Sequence, residues 1–130
     1  MKRHTRSVKR DVAMKIIQFR DLKVWQLGKE IVLDMYRITK QFPRKERYGL
    51  MVQMRQAAVF IPSNVTEGYN RVHNTEYRQF LYVALGSCAE LETQLEIARD
   101  RGYLDQVEYR PLVEQLDHKT RMLRNLIKKL

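Results

Sequence analysis

The side chains that could do chemistry are few, and their spacing does not suit it. His4, His73, His118 and Cys88 are the only histidines and the only cysteine, and none of them stands at a metal-ligand spacing from another. A di-iron centre of the kind helical bundles can enclose needs Glu-x-x-His pairs, and the sequence has none. No metal and no cofactor is expected. Gly28, Gly49, Gly68, Gly86 and Gly102 are scattered, so there is no phosphate-cradling loop and no nucleophile elbow. Glu67, Glu90, Glu92 and Glu96 are the carboxylates on which acid–base chemistry would draw. Such work needs two of them converging across a cleft. Glu90 falls near an apolar seam, where a partly buried pair with Arg55, or a polar layer with Gln53 and Asn64, is the expected role. Cys88 lies at core spacing from Ala84, Leu91 and Leu95, which predicts a buried structural thiol. No catalytic residue is assigned, and the chain reads as a non-enzyme.

What remains is electrostatic. The formal charge is +10, of which residues 1 to 20 hold +6 and the remainder +4. Residues 1 to 18 are expected to form a basic tail. Such an arm can condense onto phosphates or an acidic surface, and basic termini also serve simply as solubilising extensions. Met14 offers an alternative start that would remove Lys2, Arg3, Arg6, Lys9, Arg10 and Asp11 and leave +6. The 130 residues, 44% of them apolar, suit a single domain over residues 19–130 with one core. No apolar run is long enough for a membrane span or a secretory leader, so a cytoplasmic protein is expected.

The elements that must position these charges are helical. A first helix is predicted from about Asp21, as its cap, to Gln41, ending before Phe42-Pro43. Its seam of Val24, Leu27, Ile31, Met35 and Ile38 is flanked by Trp25, Val32 and Tyr36. That arc is wider than a simple bundle needs, which argues for burial against another subunit. A second helix is predicted from Glu46 to Gly68. Within it Met54, Ala57, Ile61, Val65 and Gly68 recur at steps of three or four, yet Pro62 interrupts the donors. Either one kinked helix runs through, which the unbroken apolar phase favours, or the helix stops at Ile61 and restarts at Asn64 with Glu67 as its reciprocal cap. A third begins after Asn74, as a cap, and closes at Gly102, with Tyr77, Leu81, Ala84, Cys88, Leu91, Leu95 and Ala98 as its seam. Its Ala84, Gly86, Ser87 and Ala89 form a small-residue waist that a neighbouring helix can approach. The fourth runs from Asp105 to Lys128 on Leu112, Leu116, Leu123, Leu126 and Leu130 or their neighbours. Short connections make this an all-α, antiparallel up-down-up-down four-helix bundle.

Three strings carry a further signal: the FxDLxVW pattern of Phe19 to Trp25, IPSNVTEG of Ile61 to Gly68, and LGSCAELETQL of Leu85 to Leu95. In order and spacing they resemble the four helix bundle protein family, first met as the 23S ribosomal RNA intervening-sequence protein. The resemblance spans residues 19 to 130. A relative of the same shape is the accessory variability determinant of diversity-generating retroelements, a basic bundle that assists a reverse transcriptase. The resemblance implies a bundle that often forms a ring-shaped pentamer, with a proposed nucleic-acid role and no established catalytic residues.

Antiparallel topology gathers cations at the two bundle ends. One end collects Arg37, Lys40, Arg44, Lys45, Arg47, Arg99 and Arg101, and the other the tail, Arg71, His73, Arg124, Lys128 and Lys129. Cations at helix C-termini complement the macrodipole and need no ligand, but Arg44, Lys45 and Arg47 flank a loop and a helix start. No aromatic signature of the RRM type is present. The charges point to contact with structured RNA or RNA–DNA, and the wide arc of the first helix to a homo-oligomer, which the resemblance implies is a pentamer. The alternative is a protein-interaction adaptor, for example a reverse-transcriptase accessory protein, docked through the same basic surface.

Overall fold

The computed structural model describes residues 18–130, so the expected tail lies almost wholly outside the described residues. Four helices follow: α1 (Lys23–Thr39), α2 (Leu50–Tyr69), α3 (Asn74–Asp100) and α4 (Gln106–Lys129). Single 3₁₀ turns precede α1 at Phe19–Asp21 and α2 at Arg44–Glu46. Each long helix packs on the next and α4 returns against α1. Met35 and Ile38 of α1, Met54, Ile61 and Val65 of α2, Leu81, Leu91 and Leu95 of α3, and Leu116 and Leu123 of α4 fill the centre. Among the described residues no helix is long and apolar enough to cross a membrane.

The ends differ from expectation where short-range hydrogen bonds compete with helix caps. Asp21 does not cap α1: its carboxylate accepts the Gln18 N–H at 2.9 Å and closes the 3₁₀ turn. Leu22 is the residue that precedes the helix, without a side-chain cap. The second helix starts at Leu50 rather than Glu46, because Gly49 takes a non-helical φ of −113° and ψ of −112°. Glu46 serves that start from outside, its carboxylate accepting the Leu50 N–H at 3.2 Å. His73, not Asn74, holds the position before α3. Asp105 and Glu108 form the reciprocal capping box that opens α4.

Through Pro62, α2 runs as one helix. The restart at Asn64 is not made: the Asn64 amide donates to the Phe60 carbonyl at 2.7 Å, and the Thr66 hydroxyl donates to the Pro62 carbonyl at 3.1 Å. Gly68 is not a left-handed helix end either, since among the described residues only Gly102 has a positive φ, 77°. Its role is proximity. A Cβ at Gly68 would stand 2.8 Å from Tyr77 Cδ1 and 3.1 Å from the Tyr77 carbonyl oxygen, so a hydrogen there lets α2 and α3 close. Gly102 ends α3 as expected, with Tyr103 N–H donating to Ala98 and Gly102 N–H to Arg99, both at 2.9 Å, in a Schellman arrangement. The small-residue waist of α3 divides. Ala84 and Ser87 turn inward, while Gly86 and Ala89 face solvent.

Candidate nucleic-acid interface

The connection between α1 and α2 is short and braced. Phe42 is buried and packs its ring 5.3 Å from that of Tyr103, in the connection between α3 and α4. The Tyr103 hydroxyl donates to Glu46 Oε2 at 2.7 Å. Together with the Leu50 N–H, that hydroxyl holds the Glu46 carboxyl below its ordinary range. Gln41 Nε2 donates to the Glu108 carboxylate at 3.0 Å and to the Tyr103 carbonyl at 3.4 Å. The first and third connections therefore meet, joining Glu46 and Gln41 on one side to Tyr103 and Glu108 on the other.

Cations crowd this end, but not equally freely. Arg37 pairs with Asp34 at 3.3 Å. Arg99 pairs with Asp100 at 3.1 Å and lies 4.4 Å over the Tyr109 ring. Arg101 donates to the Tyr103 hydroxyl at 3.4 Å. By contrast Lys40, Arg44, Lys45 and Arg47 are exposed and, among the described residues, enter none of the ion pairs. Arg44 and Lys45 lie on the 3₁₀ turn and Arg47 follows it, three residues before α2. The dipole of α2 disfavours a cation there, so helix stabilisation does not account for Arg47. The chain thus presents concentrated positive charge on a fixed surface.

The other basic group is more dispersed. Arg71 pairs with Glu67 at 3.3 Å and lies 4.7 Å over the Phe80 ring. His73 is exposed just before α3, and Arg124, Lys128 and Lys129 are exposed in the last turns of α4. There they complement the helix dipole. Glu90 also departs from expectation. It is exposed and accepts from Gln94 at 3.3 Å, whereas Arg55 of α2 turns to α1, donating to Thr39 Oγ1 at 2.9 Å and lying 4.4 Å over the Tyr36 ring. Arg55 is engaged by Thr39, buried in the α1–α2 seam, and the expected Glu90–Arg55 pair is not formed; Asn64 donates to the Phe60 carbonyl instead of joining a polar layer with Gln53. Cys88 is buried as expected, and burial pushes its thiol up to about 11.

A profile of the 23S rRNA-intervening sequence protein family matches residues 20–125. The chain belongs to that family. Among solved structures, a protein of unknown function from the S23 ribosomal protein family of Bacteroides thetaiotaomicron shares the fold, with a TM-score of 0.73 at 18% identity over 81% of this chain and 98% of that one. No curated protein matches. The profile match takes in the braced connection and all four helices up to Asn125, so Lys128 and Lys129 fall beyond it.

Two residues of this intervening-sequence family member are not singled out by sequence spacing. Lys119 has no exposed surface and its Nζ has no hydrogen-bond partner among the described residues. It points at Gly28, where a Cβ would stand only 2.7 Å from Nζ. Burial pushes its amine down to about 7, while Cys88 pulls the other way. A signal was present: the α4 seam jumps from Leu116 to Leu123, and a helix must turn position 119 or 120 inward between them. Tyr48, in the braced connection, is 87% exposed. Its signal is an aromatic ring between Arg47 and Gly49, which matches no RRM string.

Proposed function

We propose that this protein is a non-enzymatic, cytoplasmic, self-associating bundle that contacts structured RNA or an RNA–DNA hybrid through its basic ends. In this reading the helices run up-down-up-down, as the Gln41–Glu108 and Glu46–Tyr103 bonds support. The observation that carries the proposal is the exposed, unpaired set Arg44, Lys45 and Arg47 on a connection fixed by Glu46 and Tyr103. Exposed ion pairs such as Arg37–Asp34 and Arg71–Glu67 are worth about 0–1 kcal/mol, so those arginines can exchange a carboxylate for a phosphate at little cost. Lys40, Arg99, Arg101, Arg124, Lys128 and Lys129 supply the rest of the field. The family name and the resemblance to intervening-sequence proteins support RNA as the polyanion.

Fluorescence anisotropy on a structured RNA across a salt series tests the proposal. Each phosphate-binding cation removed should shallow the log-affinity against log-salt slope by roughly 0.7 to 0.9. Replacing Arg44, Lys45 and Arg47 together by Gln should weaken RNAs of different sequence alike without unfolding the bundle, since exposed charge changes usually cost under about 0.5 kcal/mol. Affinity indifferent to salt, or strong discrimination among sequences of equal structure, would contradict it. Absence of binding to RNA and hybrid at low salt would favour an adaptor that docks an acidic protein.

A further inference from the structure

Tyr48 is unusual among the aromatic residues of the described chain. Phe42 is buried, Tyr69 and Tyr77 are buried edge to face against one another, and Tyr103 donates to Glu46. Tyr48 has no such role. It is 87% exposed, and among the described residues its hydroxyl enters no hydrogen bond. The nearest cation to its ring is Arg47, with the guanidinium 6.0 Å from the centroid. Its backbone, however, is tied on both sides. Glu46 accepts from Tyr103 at 2.7 Å and from the Leu50 N–H at 3.2 Å, and the Gly49 N–H donates to the Glu46 carbonyl at 3.0 Å.

A large apolar ring held in water costs hydration free energy and contributes nothing here to the core. Because its backbone is held beforehand in a short connection, meeting a ligand costs little further backbone freedom. It is flanked in sequence by Arg44, Lys45 and Arg47, which offer charge to phosphates but cannot tell a paired base from an unpaired one. Only a ring with an accessible face adds that distinction, because the bases of a duplex are already stacked on each other.

The geometry points to Tyr48 as a stacking platform for an unpaired RNA base whose flanking phosphates lie on Arg44, Lys45 and Arg47. This rests on the RNA-binding reading above and narrows its ligand from structured RNA in general to RNA with an unpaired nucleotide beside a helix. Tyr48 is the residue that makes the choice, and the three cations supply attraction common to every RNA.

The test uses the full chain, its Tyr48→Ala and Tyr48→Phe variants, and three probes: a hairpin RNA with an unpaired loop, a blunt duplex of the same stem, and the same hairpin with abasic loop nucleotides. Tyr48→Ala should weaken the intact hairpin by about 5- to 160-fold, the range base–aromatic stacking spans. It should change duplex and abasic hairpin by less than about twofold and leave the salt slope unaltered, as every phosphate-binding cation is retained. Tyr48→Phe should bind the hairpin like the parent. Undiminished hairpin binding by Tyr48→Ala, or an equal loss on all three probes, overturns the platform while leaving the electrostatic reading intact. Failure of the parent chain to bind any probe at low salt overturns that reading, and the platform with it.

Discussion

Lys119 interrupts the apolar seam of α4 at the level where α1 offers Gly28 and α2 offers Pro62. An added Cβ at Gly28 would stand 2.7 Å from Lys119 Nζ and 3.4 Å from Pro62 Cβ, so the glycine is the space the amine occupies. An unpartnered buried amine is costly in either protonation state, and charging it costs more. Because its folded pKa is about 7 against an ordinary 10.5, the unfolded chain binds more protons between those values. Stability should therefore rise with pH above about 7. From pH 7 to 8.5 the gain should be about 1–2 kcal/mol, measured by urea denaturation. Cys88 does not oppose it in this window, since a thiol raised from 9.0 to about 11 loses stability only as pH passes its unfolded value. Lys119→Met, which keeps an unbranched side chain but ends one atom short of Nζ, should add about 1–3 kcal/mol at pH 7 and remove this slope. A variant no more stable than the parent would show that the amine is satisfied.

At the scale of elements, the IPSNVTEG string places one residue at each of two helix contacts. Pro62 is buried facing Gly28, and Gly68 lies where α3 crosses. Gly68→Ala should cost about 1–3 kcal/mol by overpacking, because the added methyl meets the Tyr77 carbonyl at 3.1 Å and the Phe80 Cβ at 3.0 Å as well as a movable ring edge. A thermal midpoint equal to the parent's would show that α2 and α3 separate at no cost. Pro62→Ala has the opposite character. It restores a donor for the Ala58 carbonyl and is an excellent helix former, so circular dichroism should keep its helical signal. It also changes the α2 surface that meets α1, and the expected effect is on assembly. Unaltered stoichiometry together with an unaltered helix axis in a crystal structure would show that Pro62 does not organise the assembly.

For the whole molecule, the wide arc of α1 is mostly taken up by the chain's own core, where Trp25 and Val32 are partly buried, and of it only Tyr36 is exposed. Leu33, outside that arc, is exposed on α1 as well, with Val52 and Phe60 on α2 and Tyr82, Val83 and Ile97 on α3. Faces on different helices suit a heterologous contact, in which one face of each copy meets another face of the next, and such contacts close into rings when the rotation permits. Light scattering after gel filtration should therefore give an oligomer, with five subunits expected, rather than the 15.7 kDa of one chain. A monomer at tens of micromolar would remove the ring and leave these side chains as isolated surface hydrophobics.

The sequence alone determined the number and order of helices, because apolar steps of three and four are a local record of which side of a helix avoids water. It also placed Cys88, Gly102 and the start of the fourth helix near Asp105, each of which depends on neighbours within a few residues; that Asp105 caps that helix with Glu108 was added by the structure. Tertiary structure decided much of the rest. Glu46 could cap a helix start or meet a distant donor, and Tyr103 from the third connection made it do both, whereas Asp21 and Asn64 were settled by hydrogen bonds within four residues. Arg55 went to Thr39, which α1 brought to 2.9 Å, while Glu90 stayed exposed on α3. Gly68 and Gly28 became contact points only once Tyr77 and Lys119 arrived from other helices. Among the cations, Arg37, Arg71 and Arg99 found carboxylates within four residues along the chain, whereas on the braced turn carrying Arg44, Lys45 and Arg47 it was tertiary structure that put the one carboxylate, Glu46, to work on Tyr103.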